Sequence, residues 1–98
     1  MIRREGARLV VSGAATLATV AELLEEGNRH LREGVHTVDL AEVKEIDSSL
    51  LAALLSWSRE SRAHGAELQI ENMPSGLATI ARLYGVHDLL AAPAQSQI

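Results

Sequence analysis

Apolar positions in the 98-residue chain follow two different periods, which predict strands and helices in alternation. β-Branched and aliphatic runs that adjoin glycine predict strands at residues 9–13, 35–40 and 66–71. The short segment 2–5 is expected to pair with the first of these strands across Gly6, as a small hairpin. The stretches between the three main strands are long enough to hold helices.

The first of these stretches has the pattern of an amphipathic helix. Thr19 and Glu22 fit a capping box, in which the threonine caps the helix and the glutamate reaches back to it. Gly34 supplies the end of the helix. Between these signals, apolar residues recur at helical spacing and form one stripe, at Val20, Leu23, Leu24, Gly27 and Leu31.

The second helix follows a connector at residues 41–46, which carries two apolar anchors, Val43 and Ile46. The helix is predicted to begin at Asp47 or Ser48 and to end near Gly65. Its last turns, from Ser58 to His64, are mostly polar. Its buried stripe is therefore expected to centre on four leucines near its start, at Leu50, Leu51, Leu54 and Leu55.

The third helix is predicted to begin at Pro74 and Ser75 and to end at Gly85, with Tyr84 on its apolar spacing. The resulting order, β(β)αβαβα, has crossovers long enough for parallel pairing. We therefore expect an α/β fold with a single mixed, mostly parallel sheet of about four strands and helices packed mainly on one face. The domain is expected to span residues 1–92 and to be followed by a flexible tail at 93–98.

Composition argues against several classes of function. Nine basic residues stand against thirteen acidic ones, and the chain has one Trp, one Tyr and no Phe, so it lacks the basic stripe and stacking aromatics of a nucleic-acid binder. The absence of cysteine excludes disulfides and thiolate chemistry. The longest apolar run, residues 50–55, is far shorter than the roughly 20 residues that span a bilayer. We expect a cytoplasmic protein without direct membrane insertion.

Sequence signatures of catalysis are also missing. The glycines do not have the spacing of a phosphate-binding loop, and the single lysine, Lys44, follows no glycine. The four histidines are scattered over different elements, without the spacing of a local metal site. No Gly-x-Ser-x-Gly turn presents a nucleophilic serine. We therefore expect neither an enzyme nor a bound cofactor or metal.

Two features of the second helix remain as candidates for function. Asp47, Ser48 and Ser49 stand at its start, where at least one of them is expected to cap it. A serine there also lies at the positive end of the helix dipole, where a phosphate group is tolerated and could block a docked partner. Trp57, near the edge of the expected buried stripe, is either a lid on the core or an anchor for a partner protein.

The strand–loop–helix segment resembles the signature of STAS domains. It consists of Val38-Asp39-Leu40, then Val43, then Ile46-Asp47-Ser48-Ser49-Leu50-Leu51. In that signature an aspartate closes the strand and an Asp-Ser or Asp-Thr block opens the helix. The resemblance extends from about Arg8 to Leu90 and implies a domain that binds a protein partner.

Two branches of that family are similar to this chain. Anti-sigma-factor antagonists usually read Asp-Ser-Ser-Gly and are phosphorylated by a kinase anti-sigma factor at the serine that matches Ser48, whereas this chain has Leu50 in place of the glycine. The small STAS subunit of the Gram-negative lipid-asymmetry ABC transporter is similar in residues 81–86 and in its leucine-rich helix.

The transporter resemblance implies a non-catalytic subunit that binds the ATPase and, through it, the permease. The position of Ser48 then lies at the contact with the ATPase, and the protein is peripheral to the inner membrane. This function is the preferred prediction, with Asp47, Ser48, Ser49, Trp57 and Tyr84 as its site residues. The phosphorylated antagonist is the alternative, and a domain that binds a small ligand such as a nucleotide or lipid is a third possibility.

Overall fold

A computed structural model describes residues 1–86 and shows a four-stranded sheet in the order β1-β2-β3-β4. The strands are β1 (Ile2–Glu5), β2 (Arg8–Ala15), β3 (Thr37–Ile46) and β4 (Gln69–Glu71). β1 pairs with β2 in antiparallel orientation, and the other two pairs are parallel. The predicted α/β fold with a mixed, mostly parallel sheet is confirmed, whereas the predicted tail at 93–98 lies outside the described residues.

Within residues 1–86, three helices connect or follow the parallel strands: α1 (Val20–Arg32), α2 (Ser48–Ala63) and α3 (Ser75–Leu83). Each begins within a residue or two of the predicted position. The segment from Val86 to Leu90, which the sequence suggests as a further turn, lies almost entirely outside the described residues. No helix in residues 1–86 combines the length and the apolar character that a bilayer crossing needs.

The predicted capping box at the start of α1 does not form. Thr19 is the N-cap residue, but its side chain makes no capping hydrogen bond to the helix. Its hydroxyl Oγ1 accepts from the backbone N–H of Thr16 at 3.0 Å and donates to the carbonyl oxygen of Ala14 at 3.0 Å. The hydroxyl therefore closes the loop that precedes α1, which leaves it unavailable to the helix.

Strand β3 is longer than predicted, since the expected connector at 41–46 continues the strand. Strand β2 also extends to Ala15, and the two extensions pair in parallel, with Gly13 opposite Val43 and Ala15 opposite Ile46. Two register shifts interrupt this pairing and obscure the regular alternation in the sequence. Strand β4 is shorter than predicted and pairs only with Thr37–Asp39.

The two faces of the sheet differ in chemistry. One face and the buried residues of all three helices form a single apolar core, which includes Leu9, Val38, Leu23, Leu54 and Leu77. The other face carries ion pairs between strands: both terminal nitrogens of Arg3 donate to the Glu42 carboxylate at 2.7–2.8 Å. The helices therefore lie on one face, as the sequence predicts.

Candidate partner-binding site at the start of helix α2

The candidate site lies at the edge of the sheet where β2 and β3 end side by side. Ala15 and Ile46 are paired in the last step of the parallel ladder. The chain then leaves β2 through the loop of residues 16–19 and leaves β3 directly into Asp47 and Ser48. The loop before α1 and the first turn of α2 are consequently neighbours.

Asp47 joins these two segments with its carboxylate. Oδ1 accepts a hydrogen bond from the backbone N–H of Ser49 at 2.8 Å, which caps α2. Oδ2 accepts from the backbone N–H of Leu17 at 3.0 Å, across a sequence separation of 30 residues. The bond from Leu17 and then that from Ser49 hold the pKa of Asp47 below its ordinary value of 3.8, because both stabilise the ionised carboxylate.

Ser48 is the first residue of α2, and its side chain is exposed. Its hydroxyl takes part in none of the side-chain hydrogen bonds found between residues 1 and 86. Ser49 is only half-exposed, and its backbone rather than its side chain makes the capping bond. The block therefore divides its roles: Asp47 caps, and Ser48 presents a free hydroxyl to solvent.

Leu17 adds an apolar group that sequence reasoning missed. Its side chain is 76% exposed, although it lies on the loop that Asp47 holds next to α2. Thr19 closes the same loop through its bonds to Thr16 and Ala14. An exposed leucine in a loop has no periodic signal in the sequence, so only the hydrogen bond from its backbone N–H reveals its place beside Asp47.

Trp57 is not at the edge of the buried stripe, and this expectation was wrong. Its side chain is 0% exposed and packs against Gly27 of α1, where an added Cβ would overlap the indole ring. The buried residues of α2 include Ser58 and Ser61, so the stripe continues through the segment that appears polar in the sequence. The indole therefore belongs to the core and has no surface to offer a partner.

Tyr84 is exposed, but the structure does not bring it to Ser48. It follows the last residue of α3 and is 64% exposed, beside Leu83 at 78%. The start of α3 is near the candidate site, since a Cβ on Gly76 would lie 3.5 Å from Ile46. Tyr84 is roughly two turns further along α3, about 12 Å at 1.5 Å per residue.

The described residues offer no metal site at this edge. Within residues 1–86, no group of three or more His, Cys, Asp or Glu side chains is arranged to hold a metal ion. The groups that this edge presents are the Ser48 hydroxyl, the ionised capping carboxylate of Asp47 and the exposed Leu17 side chain.

Comparison with known proteins identifies the family. A family model described as "Mlab, STAS domain" matches residues 1–91. The chain belongs to the STAS domain family. The predicted resemblance to STAS domains is thereby confirmed, and Asp47 and Ser48 stand at the start of the second helix of this STAS domain. No curated protein matches the chain.

Solved structures share the fold at low sequence identity. The anti-sigma factor antagonist SpoIIAA in its unphosphorylated form has a TM-score of 0.65 and 15% identity, covering 85% of this chain and 81% of its own. The phosphorylated form of SpoIIAA from Bacillus has a TM-score of 0.66 and 13% identity, with 98% and 94% covered. A putative anti-sigma factor antagonist from Thermotoga maritima has a TM-score of 0.71 and 10% identity, with 98% and 89% covered.

Proposed function

We propose that this STAS domain is a non-catalytic accessory subunit that binds the ATPase of a phospholipid-transporting ABC complex, which maintains outer-membrane lipid asymmetry. The match of residues 1–91 to the Mlab family model supports this reading over other STAS functions. The similarity of residues 81–86 to the transporter subunits points the same way. The antagonist structures are too distant in sequence to argue for more than the fold.

One structural observation carries the binding role. The Ser48 hydroxyl is exposed at a position that the Asp47 cap and the sheet edge already fix. Because the backbone that carries this hydroxyl is held in place before binding, docking of a partner costs little backbone freedom. The same turn contains no nucleophile–base pair, so it is suited to contact rather than to chemistry.

This function places the protein in the cytoplasm, peripheral to the inner membrane. It would reach the membrane through the ATPase and the permease and would need no lipid-inserting segment of its own. Selection of the transported lipid would lie in other subunits.

Calorimetry tests the proposal by measuring the Kd of the purified chain for the ATPase subunit from the same bacterium. If Ser48 donates a hydrogen bond that is buried at the contact, its loss costs about 1 kcal/mol or more, which is roughly fivefold or more in Kd. Ser48→Ala and Ser48→Asp should therefore both weaken binding. Absence of binding by the wild-type chain would overturn the proposal.

Ser75 provides a matched control for Ser48. It is the first residue of α3 and is also exposed. Ser75→Ala and Ser75→Asp change the same chemical groups at the same helical position in another helix. Ser75 lies near the same edge of the sheet, because its neighbour Gly76 approaches Ile46, so it is a close control. Its variants should leave the Kd for the ATPase within twofold of the wild-type value, which would tie the effect to Ser48 itself.

The alternative function, an anti-sigma-factor antagonist switched by phosphorylation of Ser48, is favoured by the same exposed hydroxyl. A kinase can reach that side chain. The alternative predicts a different pair of results with a kinase anti-sigma factor: Ser48→Ala keeps the partner and Ser48→Asp loses it. Phosphate on Ser48 in protein from its own cells would also support it.

A further inference from the structure

We propose that Asp47 is a positioning residue, which holds the exposed Leu17 beside Ser48 so that the two side chains form one docking surface for the ATPase. This inference rests on the proposed function and extends it to residues outside the Asp-Ser block. Leu17 would supply the apolar contact of that surface and Ser48 the polar one.

The two carboxylate oxygens of Asp47 have separate tasks. Oδ1 caps α2 by accepting from the N–H of Ser49, and a single acceptor atom suffices for that. Oδ2 is directed instead to the N–H of Leu17, in a loop that is distant in sequence. An aspartate is thus needed at this position for the loop rather than for the helix.

Hydrogen bonds hold the loop of residues 16–19, yet the apolar side chain of Leu17 in that loop stays exposed to solvent. Besides the Asp47 bond, the N–H of Thr16 donates to Thr19 Oγ1 at 3.0 Å and the N–H of Thr19 donates to the carbonyl of Thr16 at 2.9 Å. Leu17 is 76% exposed at the centre of this network, so it contributes little to the core. A leucine presented on a fixed backbone can bury apolar surface against a partner while the loop loses little conformational freedom.

Two substitutions separate the two tasks of Asp47. Asp47→Asn and Asp47→Ser keep a good helix cap, because Asn, Asp and Ser are nearly equivalent at that position. Neither side chain has a second acceptor atom for the N–H of Leu17. The amide nitrogen of asparagine is a donor, and serine has one short hydroxyl. Both variants should therefore keep α2 and release Leu17.

Hydrogen exchange of the free protein tests the release without any partner. In Asp47→Asn and Asp47→Ser, the Leu17 amide should exchange at least tenfold faster than in the wild type. Amides in the later turns of α2 should keep their rates. If the Leu17 amide keeps its rate too, Asp47 does not hold the loop, and the inference is wrong even where the ATPase binds.

A double-mutant cycle on ATPase affinity tests the docking role. Leu17→Ala should raise the Kd at least tenfold, and Asp47→Asn should raise it nearly as much. In the Leu17→Ala background, Asp47→Asn should have little further effect, because it acts through Leu17. Leu83→Ala, which removes an equally exposed leucine at the other end of α3, is the matched control and should leave the Kd unchanged.

The outcomes distinguish this inference from the function on which it rests. Equal effects of Asp47→Asn with and without Leu17 would overturn the positioning role and leave ATPase binding intact. An unchanged Kd for Leu17→Ala would do the same. A wild-type chain that does not bind the ATPase would overturn both.

Discussion

Ser48 and Ser61 are the same residue type in the same helix, yet their surroundings are opposite. Ser48 is exposed in the first turn of α2, and its hydroxyl makes none of the side-chain bonds found within residues 1–86. Ser61 is 0% exposed, and its Oγ lies 2.9 Å from Nδ1 of His36, the residue that precedes β3. One serine is available to a partner, and the other is part of the interior.

Helical geometry explains the difference. Ser61 follows Leu54 by seven residues and Trp57 by four, which places it on the same stripe as the core residues. Ser48 precedes Leu54 by six residues and points away from that stripe. The side chain of Ser48 can therefore change without disturbing the core, whereas those of Trp57 and Ser61 cannot.

The largest effect is expected at Trp57. Truncation by Trp57→Ala should lower the free energy of unfolding by about 3–5 kcal/mol, because a fully buried indole leaves a cavity. Urea denaturation followed by far-ultraviolet circular dichroism measures this without relying on the lost tryptophan. Trp57→Phe is the control and should cost much less, because it keeps an aromatic ring against Gly27 and removes an N–H that has no hydrogen-bond partner. A loss below 1 kcal/mol for Trp57→Ala would contradict the buried position.

The second-largest effect is expected for Gly27→Ala. It should lower the free energy of unfolding by about 1–3 kcal/mol, because the added methyl overpacks against Trp57. The same denaturation experiment in a Trp57→Leu background should show a much smaller cost, since the smaller side chain leaves room for the added methyl. Gly76→Ala in α3 is the matched control: its Cβ would lie at an ordinary 3.5 Å from Ile46. Gly76→Ala should leave the free energy of unfolding unchanged or raise it by up to about 1 kcal/mol. Equal effects at the two glycines would argue against the close packing of α1 and α2.

Ser61→Ala should lower the free energy of unfolding by about 1 kcal/mol, the usual net value of an intramolecular hydrogen bond. His36 is half-exposed, so water can partly replace the lost partner and limits the effect. Chemical denaturation of the variant beside Ser48→Ala compares the buried and exposed serines directly. Equal stability of the two variants would show that the bond to His36 contributes nothing.

The buried stripe of α2 shows how far the sequence could predict this structure. Its period located α2 correctly, since Asp47 and the leucines that follow are clear signals. Its centre was misplaced, because Ser58 and Ser61 appear polar and the partner that buries Trp57 is Gly27 on another helix. The length of β3 was missed for a similar reason, since its outer half is stabilised by pairing with β2 across register shifts.

The candidate site divides in the same way. Local pattern predicted the cap at the start of α2, because a capping residue interacts with the turn that follows it. The second bond of Asp47, to the N–H of Leu17, depends on two strands ending side by side and has no local signature. The role of Ser48 in binding a partner stays a prediction.

Asp47 should make a pH-dependent contribution to stability. Its pKa in the folded protein is lowered below the ordinary value of 3.8. The stability that the ionised carboxylate contributes is therefore fully present above pH 3.8 and is lost as the pH falls through the folded pKa. The stability difference between the wild type and Asp47→Asn should therefore shrink as the pH is lowered below about 4. Urea denaturation of both proteins across this range measures the difference. Parallel pH curves would show that neither bond to the carboxylate favours its ionised form.

The smallest effect on folding is expected at Ser48, and its size separates binding from structure. Exposed substitutions usually change stability by less than about 0.5 kcal/mol, and an aspartate in the first turn is tolerated by the helix dipole. Ser48→Ala and Ser48→Asp should accordingly unfold at nearly the wild-type urea concentration, while both weaken binding to the ATPase. If either variant is destabilised by more than about 1 kcal/mol, its loss of binding would no longer identify Ser48 as a contact residue. Retained stability together with lost affinity would assign Ser48 to the partner, in contrast to Trp57 and Ser61 of the same helix, which belong to the fold.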